Sequence, residues 1–106
     1  MSQEKLQMPW YTYALRCSDG SIYCGVTTDL ARRLDEHNGV RPGGAKYTKT
    51  RRPVRLLNFW GFDNRSRACI AEAAFKKLRR KKKLEIINGA QNALVGLLTK
   101  KDEEPA

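Results

Sequence analysis

Two short runs rich in aromatic and β-branched residues, 10–16 and 21–26, are separated by the turn cluster Ser18-Asp19-Gly20. No other feature constrains the fold of this chain as tightly. Strand-forming residues bounded by such a cluster make a β-hairpin. If Cys17 stands opposite Ser21, Leu15 pairs with Tyr23 and Tyr13 with Gly25. That register puts Tyr13 and Tyr23 on one face of the hairpin, and a slip of one residue would separate them.

The second strand reads into Tyr23-Cys24-Gly25, and a helix then starts at a capping Thr28 or Asp29 and runs to Asn38. Leu30 and Leu34 face the core. Arg33 and His37, four residues apart, share another stripe of that helix. Asn38-Gly39 is a helix stop. A phenol, a guanidinium and an imidazole therefore converge at one end of a strand-turn-helix unit. Such groups suit phosphodiester cleavage: one activates a water, one holds the phosphate, one manages protons.

Residues 39–53 read as a long loop, a feature that in small domains is functional or disordered. A third strand follows over 54–62. Asp63 or Asn64 caps a second helix through Leu78, with Ala68, Ala71, Phe75 and Leu78 as its core stripe. A short third helix over 81–88 stops at Asn88-Gly89. The expected order is β-β-α-β-α-α. It describes an α/β (α+β) domain with a small, mainly antiparallel three-stranded sheet flanked by helices. We expect a disordered N-terminus over 1–8, one domain over 9–89, and a C-terminal extension over 90–106 that is partly helical and then disordered. With 106 residues, the chain has room for a single core.

The formal net charge of +10 points to a polyanionic partner. No acid lies between Glu36 and Asp63, while Arg41, Lys46, Lys49, Arg51, Arg52 and Arg55 all do. From Arg65 to Lys83, nine basic residues accompany one acid, Glu72. If both segments border one cleft, they make a phosphate track in which Lys46, Lys49, Arg51, Arg52, Lys76, Arg79, Arg80 and Lys83 contact nucleic acid. The plainer reading is a solvated cationic face. Tyr47, set among these cations, is placed to stack on an unpaired base. Gly43-Gly44-Ala45-Lys46 lacks the spacing of a nucleotide-phosphate loop.

Three cysteines without a Cys-x-x-Cys pair argue against a disulfide framework or zinc site, and for a reducing cytoplasm. Cys24 reads as a small buried residue rather than a nucleophile. The first nine residues have no apolar stretch of signal-peptide type, and no run is long enough to span a bilayer. The basic helix carries Ala and Phe rather than a broad Leu/Trp face, which argues against membrane-surface binding. Glu72 is either a Mg²⁺ ligand or the i+4 partner of Lys76; composition does not choose.

Together, Tyr11-Thr12-Tyr13, Tyr23-Cys24-Gly25, Arg33, His37 and Glu72 resemble the GIY-YIG endonuclease superfamily. The small stand-alone bacterial members related to the UvrC nuclease domain are the nearest in pattern. The likeness runs from Trp10 to Asn88. It implies Mg²⁺-dependent (or other divalent-cation) hydrolysis of DNA phosphodiesters, with Glu72 on the metal and Arg33 stabilising the transition state. It makes His37 part of the catalytic set, Gly25 a structural motif residue, and Tyr13 or Tyr23 the general base, the choice between them being open. The first Gly-Ile is replaced by Tyr11-Thr12, and Cys24 occupies the middle of the second half. Asn88 is a loose match to a late family asparagine, and its place at a helix stop favours capping. No DNA-reading domain is attached, so recognition of shape rather than sequence is expected, in repair or recombination. The competing class is a nucleic-acid-binding module with little turnover, on DNA or RNA. A monomer or weak dimer is expected, with a protein partner left open.

Overall fold

The structure, a computed structural model, describes residues 8–89. The expectations for the C-terminal extension, and for the N-terminus before Met8, lie outside these residues.

β1 (Trp10–Arg16) and β2 (Ile22–Thr27) form the expected hairpin, with Tyr13 opposite Gly25 and Leu15 opposite Tyr23. The Cys17 N–H donates to the Ser21 carbonyl at 2.9 Å and closes the turn. Gly20 supplies its φ of +85°, and Asp19 Oδ1 accepts from the Ser21 N–H at 3.0 Å. β3 (Arg55–Phe62) pairs with the other side of β1, so the sheet is wholly antiparallel in the order β2-β1-β3. Ala14 faces Asn58 while Leu15 faces Leu56, which leaves Leu57 as the extra residue of a β-bulge.

Four helices accompany the sheet among the described residues: α1 (Leu30–His37), α2 (Lys46–Lys49), α3 (Arg65–Lys76) and α4 (Arg80–Asn88). Of the alternative caps, Asp29 and Asn64 are the ones used: their side chains accept from the Arg32 and Arg67 N–H groups at 3.0 and 2.9 Å. α3 ends at Lys76 rather than Leu78, and Leu78 packs on the core from the turn beyond. The stretch read as a loop holds the one-turn α2. Four residues without apolar periodicity leave no signal for such a turn.

α3 and α4 cover one face of the sheet around Ala14, Cys24, Trp60, Phe62, Ala68, Ala71, Phe75 and Ile87. Ala68 and Ala71 are wholly buried, and the Ala68 carbonyl comes close enough to accept from Thr12 Oγ1 at 2.7 Å. On the other face, Leu30 and Leu34 of α1 pack against Tyr13, Leu15, Cys17 and Val54, with Tyr23, Leu56 and Phe59 beside them. Alternation along β1 thus sends Thr12 and Ala14 to the α3 layer, and Tyr13 and Leu15 to the α1 layer.

Candidate active site

The register of the hairpin and the pitch of α1 bring four of the expected residues into contact. The Tyr13 and Tyr23 ring centroids lie 6.5 Å apart. The His37 ring sits 5.8 Å from Tyr13 and 5.2 Å from Tyr23, edge-on to both. Tyr13 Oη and His37 Nε2 share a 2.7 Å hydrogen bond. The Arg33 guanidinium lies beside the Tyr13 hydroxyl and favours its ionised form, but burial outweighs it and pushes the phenol well above its usual range.

Gly25 is explained by the same packing. A Cβ at this position would stand 2.5 Å from the Tyr13 hydroxyl oxygen. The phenol of one half of the motif fills the space that a side chain would need in the other.

The two tyrosines differ in environment. Tyr13 is 2% exposed, whereas Tyr23 is half-buried at the margin of the layer, where the Tyr47 ring stacks on it at 5.6 Å. The Arg51 guanidinium lies 4.0 Å from the centroid of Tyr47. A base stacking on that ring has to contend with both neighbours.

His37 is fully buried, and both ring nitrogens are engaged: Nδ1 lies 2.8 Å from Thr48 Oγ1. Burial first, then the positive charge of Arg33, lowers its pKa to about 4. The ring is therefore neutral near pH 7. Thr48 had no signal in the sequence, because its role depends on the one-turn α2 that carries it under α1.

Arg33 is held in place by its surroundings. Its Nη1 donates to Glu36 Oε1 at 2.7 Å and to the Gly43 carbonyl at 2.8 Å. A guanidinium has five N–H donors, so capacity remains for an incoming oxyanion.

The basic residues of the 41–55 segment divide by task. Lys46 and Lys49 are exposed. Arg51 donates from Nε to Asp19 Oδ2 at 3.1 Å and from Nη1 to the Tyr47 carbonyl at 2.9 Å. Arg52 Nε donates to the His37 carbonyl at 2.7 Å. These two arginines fasten the loop to the hairpin turn and to the end of α1. On the helical layer, Arg79 and Arg80 are exposed, while Lys83 leans over the Phe75 ring at 5.9 Å. A groove along α4 lined by Arg80, Leu84, Glu85 and Asn88 lies on that layer too, outside the tyrosine cluster.

Glu72 stands on α3, across the sheet from the tyrosines. It is half-buried, and its Oε2 pairs with Lys76 Nζ at 3.2 Å. Its charge reaches the Cys24 thiol, which burial first and Glu72 second push up to about 12. It is therefore near β2, on the opposite face from Tyr23. Among the described residues, no three His, Cys, Asp or Glu side chains gather as a metal cage. A single half-buried carboxylate does fit Mg²⁺ held by one protein ligand, with waters and substrate phosphate completing the shell. Lys76 must yield its hold on Glu72 for that.

No helix among the described residues is long and apolar enough to cross a membrane. A family model described as the GIY-YIG catalytic domain matches residues 9–85. A UPF0213 protein of Listeria monocytogenes serotype 4b is 58% identical over 74 residues, which is 69% of this chain and 80% of the relative. A UPF0213 protein of Streptococcus agalactiae serotype V is 46% identical over 87 residues, covering 82% of this chain and 97% of the relative. The solution NMR structure of the UPF0213 protein BH0048 from Bacillus halodurans is 38% identical, covers 85% of this chain and 96% of its own, and superposes with a TM-score of 0.49.

Proposed function

The chain belongs to the GIY-YIG catalytic-domain family, and from that premise we propose that it is a divalent-cation-dependent endonuclease. Its substrate is DNA, chosen by structure rather than sequence, in repair or recombination. The observation that carries this reading is the cluster of Tyr13, Tyr23, Arg33 and His37, in which a guanidinium held beside the Tyr13 hydroxyl shares one site with the half-buried Tyr23 ring. A nucleic-acid binder needs only the cationic surface, whereas this cluster adds a guanidinium and a half-buried phenol suited to phosphoryl chemistry.

Roles follow from accessibility. Tyr23 is the tyrosine that orients or deprotonates the attacking water, since Tyr13 is enclosed and its hydroxyl is committed to His37. Arg33 presents its free donors to the scissile phosphate and stabilises charge that builds there. His37 holds Tyr13, and Tyr13 shapes the floor over Gly25. Glu72 is the residue that holds the cation, whose contribution when bound is to offset charge on the leaving oxygen. β2 is an edge strand, and in this reading the nucleic-acid backbone passes around its free edge to meet Tyr23 on one face and Glu72 on the other. Exposed Lys46, Lys49, Arg79 and Arg80 then serve as phosphate contacts.

The binding-module reading draws on the ion pair that already occupies Glu72. A cleavage assay separates the two. Labelled single-stranded, duplex, flap and branched DNA are incubated with Mg²⁺ and the wild-type or Glu72→Ala protein. Cutting that requires both cation and Glu72, with binding retained in the variant, supports the nuclease. Salt-sensitive binding without cutting of any substrate by either protein leaves the binding module.

A further inference from the structure

We infer that Thr48 is a positioning residue that fixes the tautomer of His37 and, through it, the direction in which Tyr13 points its proton. The argument is one of donors and acceptors. Thr48 Oγ1 lies 3.1 Å from the Ala45 carbonyl, which can only accept, and in this proposal the single hydroxyl hydrogen lies in that bond. The same oxygen lies 2.8 Å from His37 Nδ1 and must accept, so Nδ1 carries the imidazole hydrogen. A neutral imidazole has one N–H, which leaves Nε2 as an acceptor. The 2.7 Å bond at Nε2 is then donated by the Tyr13 hydroxyl. The order runs Tyr13 to His37 to Thr48 to Ala45, each group donating to the next.

The polarity has a use. With its hydrogen turned to His37, Tyr13 keeps its lone pairs toward the neighbouring Arg33 guanidinium, so no N–H faces an O–H across that contact. Reversing the imidazole would aim Nε2–H at the Tyr13 oxygen and turn the phenolic hydrogen toward Arg33. The turn that carries Thr48 is firmly seated. Arg33 donates to Gly43 O, Arg52 donates to His37 O, and the Ser18 N–H donates to Arg51 O at 2.9 Å. At Gly44 a Cβ would collide with the Glu36 carbonyl, so the loop lies directly on the end of α1. The neighbouring Tyr47 stacks on Tyr23, so one turn of helix touches the site at both Tyr23 and His37.

The test uses the imidazole nitrogens, which are unambiguous because His37 is the sole histidine of the chain. Two-dimensional ¹H–¹⁵N correlation of the ring near pH 7 distinguishes the two neutral tautomers. The wild type is expected to carry its hydrogen on Nδ1. In Thr48→Val, which keeps the shape and drops the hydroxyl, that tautomer should give way to Nε2–H or a mixture, and Thr48→Ser should restore it. A wild-type ring protonated on Nε2 overturns the proposal without any variant. So does a folded Thr48→Val protein that keeps a pure Nδ1–H ring. The kinetic arm rests on the nuclease reading: kcat for DNA cleavage should fall about tenfold in Thr48→Val with KM unchanged, and recover in Thr48→Ser. If no protein cleaves DNA, the nuclease reading fails while the nitrogen spectrum still decides the role of Thr48.

Discussion

Acidification should destabilise this protein through one buried imidazole. His37 has no exposed surface and titrates near 4 in the fold, against 6.5 for a free imidazole. As pH falls, the unfolded chain takes up the proton first. The stability tied to a neutral His37 is therefore complete above about pH 6.5 and is lost as pH falls toward 4. At about 1.4 kcal/mol per pH unit, the loss reaches about 2 kcal/mol by about pH 5 and about 3 kcal/mol by about pH 4. Those are large fractions of the roughly 5–15 kcal/mol that holds a small domain together. The Asp19 and Glu36 carboxyls, held below their usual range chiefly by Ser21 and Arg33 respectively, also lose stability in acid, so the comparison needs a control. Urea unfolding of the wild type and His37→Gln at about pH 7.5 and 5 isolates the imidazole, because the carboxylates are common to both. The wild type should lose about 2 kcal/mol more than the variant over that interval. Parallel losses would show that His37 titrates normally and that its buried, doubly bonded setting has been misjudged.

Gly25→Ala puts a methyl group where the Tyr13 hydroxyl sits, and should cost about 1–3 kcal/mol in thermal unfolding together with most cleavage; a neutral substitution would contradict the packing. Tyr23→Phe should abolish cleavage while shifting stability by less than about 0.5 kcal/mol, whereas Tyr13→Phe should cost about 1–3 kcal/mol because His37 Nε2 is left without a donor. Equal stability losses in chemical denaturation would remove the distinction drawn between the two rings. In thiol labelling near neutral pH, half-buried Cys69 should react first, with Cys17 and Cys24 modified only at the rate of unfolding; rapid capture of Cys24 would refute its burial. Phe75→Ala should cost about 3–5 kcal/mol in urea unfolding, since its ring is wholly enclosed between α3 and the sheet.

The sequence showed the hairpin register because a two-residue period and a tight turn leave few alternatives. It showed the helix starts to within one residue, because Thr28 and Asp29, and Asp63 and Asn64, are all capping types; the structure uses Asp29 and Asn64. From those alone, Tyr13, Tyr23, Arg33 and His37 could be brought to one place. What it could not show is which groups were spoken for. Arg51 and Arg52 read as phosphate contacts by composition; the structure adds that Arg51 Nε and Nη1 and Arg52 Nε also fasten the loop to Asp19 and to main-chain carbonyls, a matter of long-range docking. Thr48 was silent because a hydroxyl gains its role only from what folds over it. Glu72 stood out as a lone acid, and both readings of it stay open, since the ion pair with Lys76 and the placement near β2 coexist.

The sheet order also divides the site by how readily its parts let go. Tyr13 lies on the central strand, which pairs with β2 on one side and β3 on the other, and it belongs to the core of the α1 layer. Its amide can exchange with solvent only when the whole domain comes apart. Tyr47 and Thr48 belong instead to a single turn of helix that no strand ladder holds, seated by side-chain and loop bonds, so its amides should exchange before that of Tyr13. One wall of the site is thus held by the strand ladder and the other by bonds across the loop.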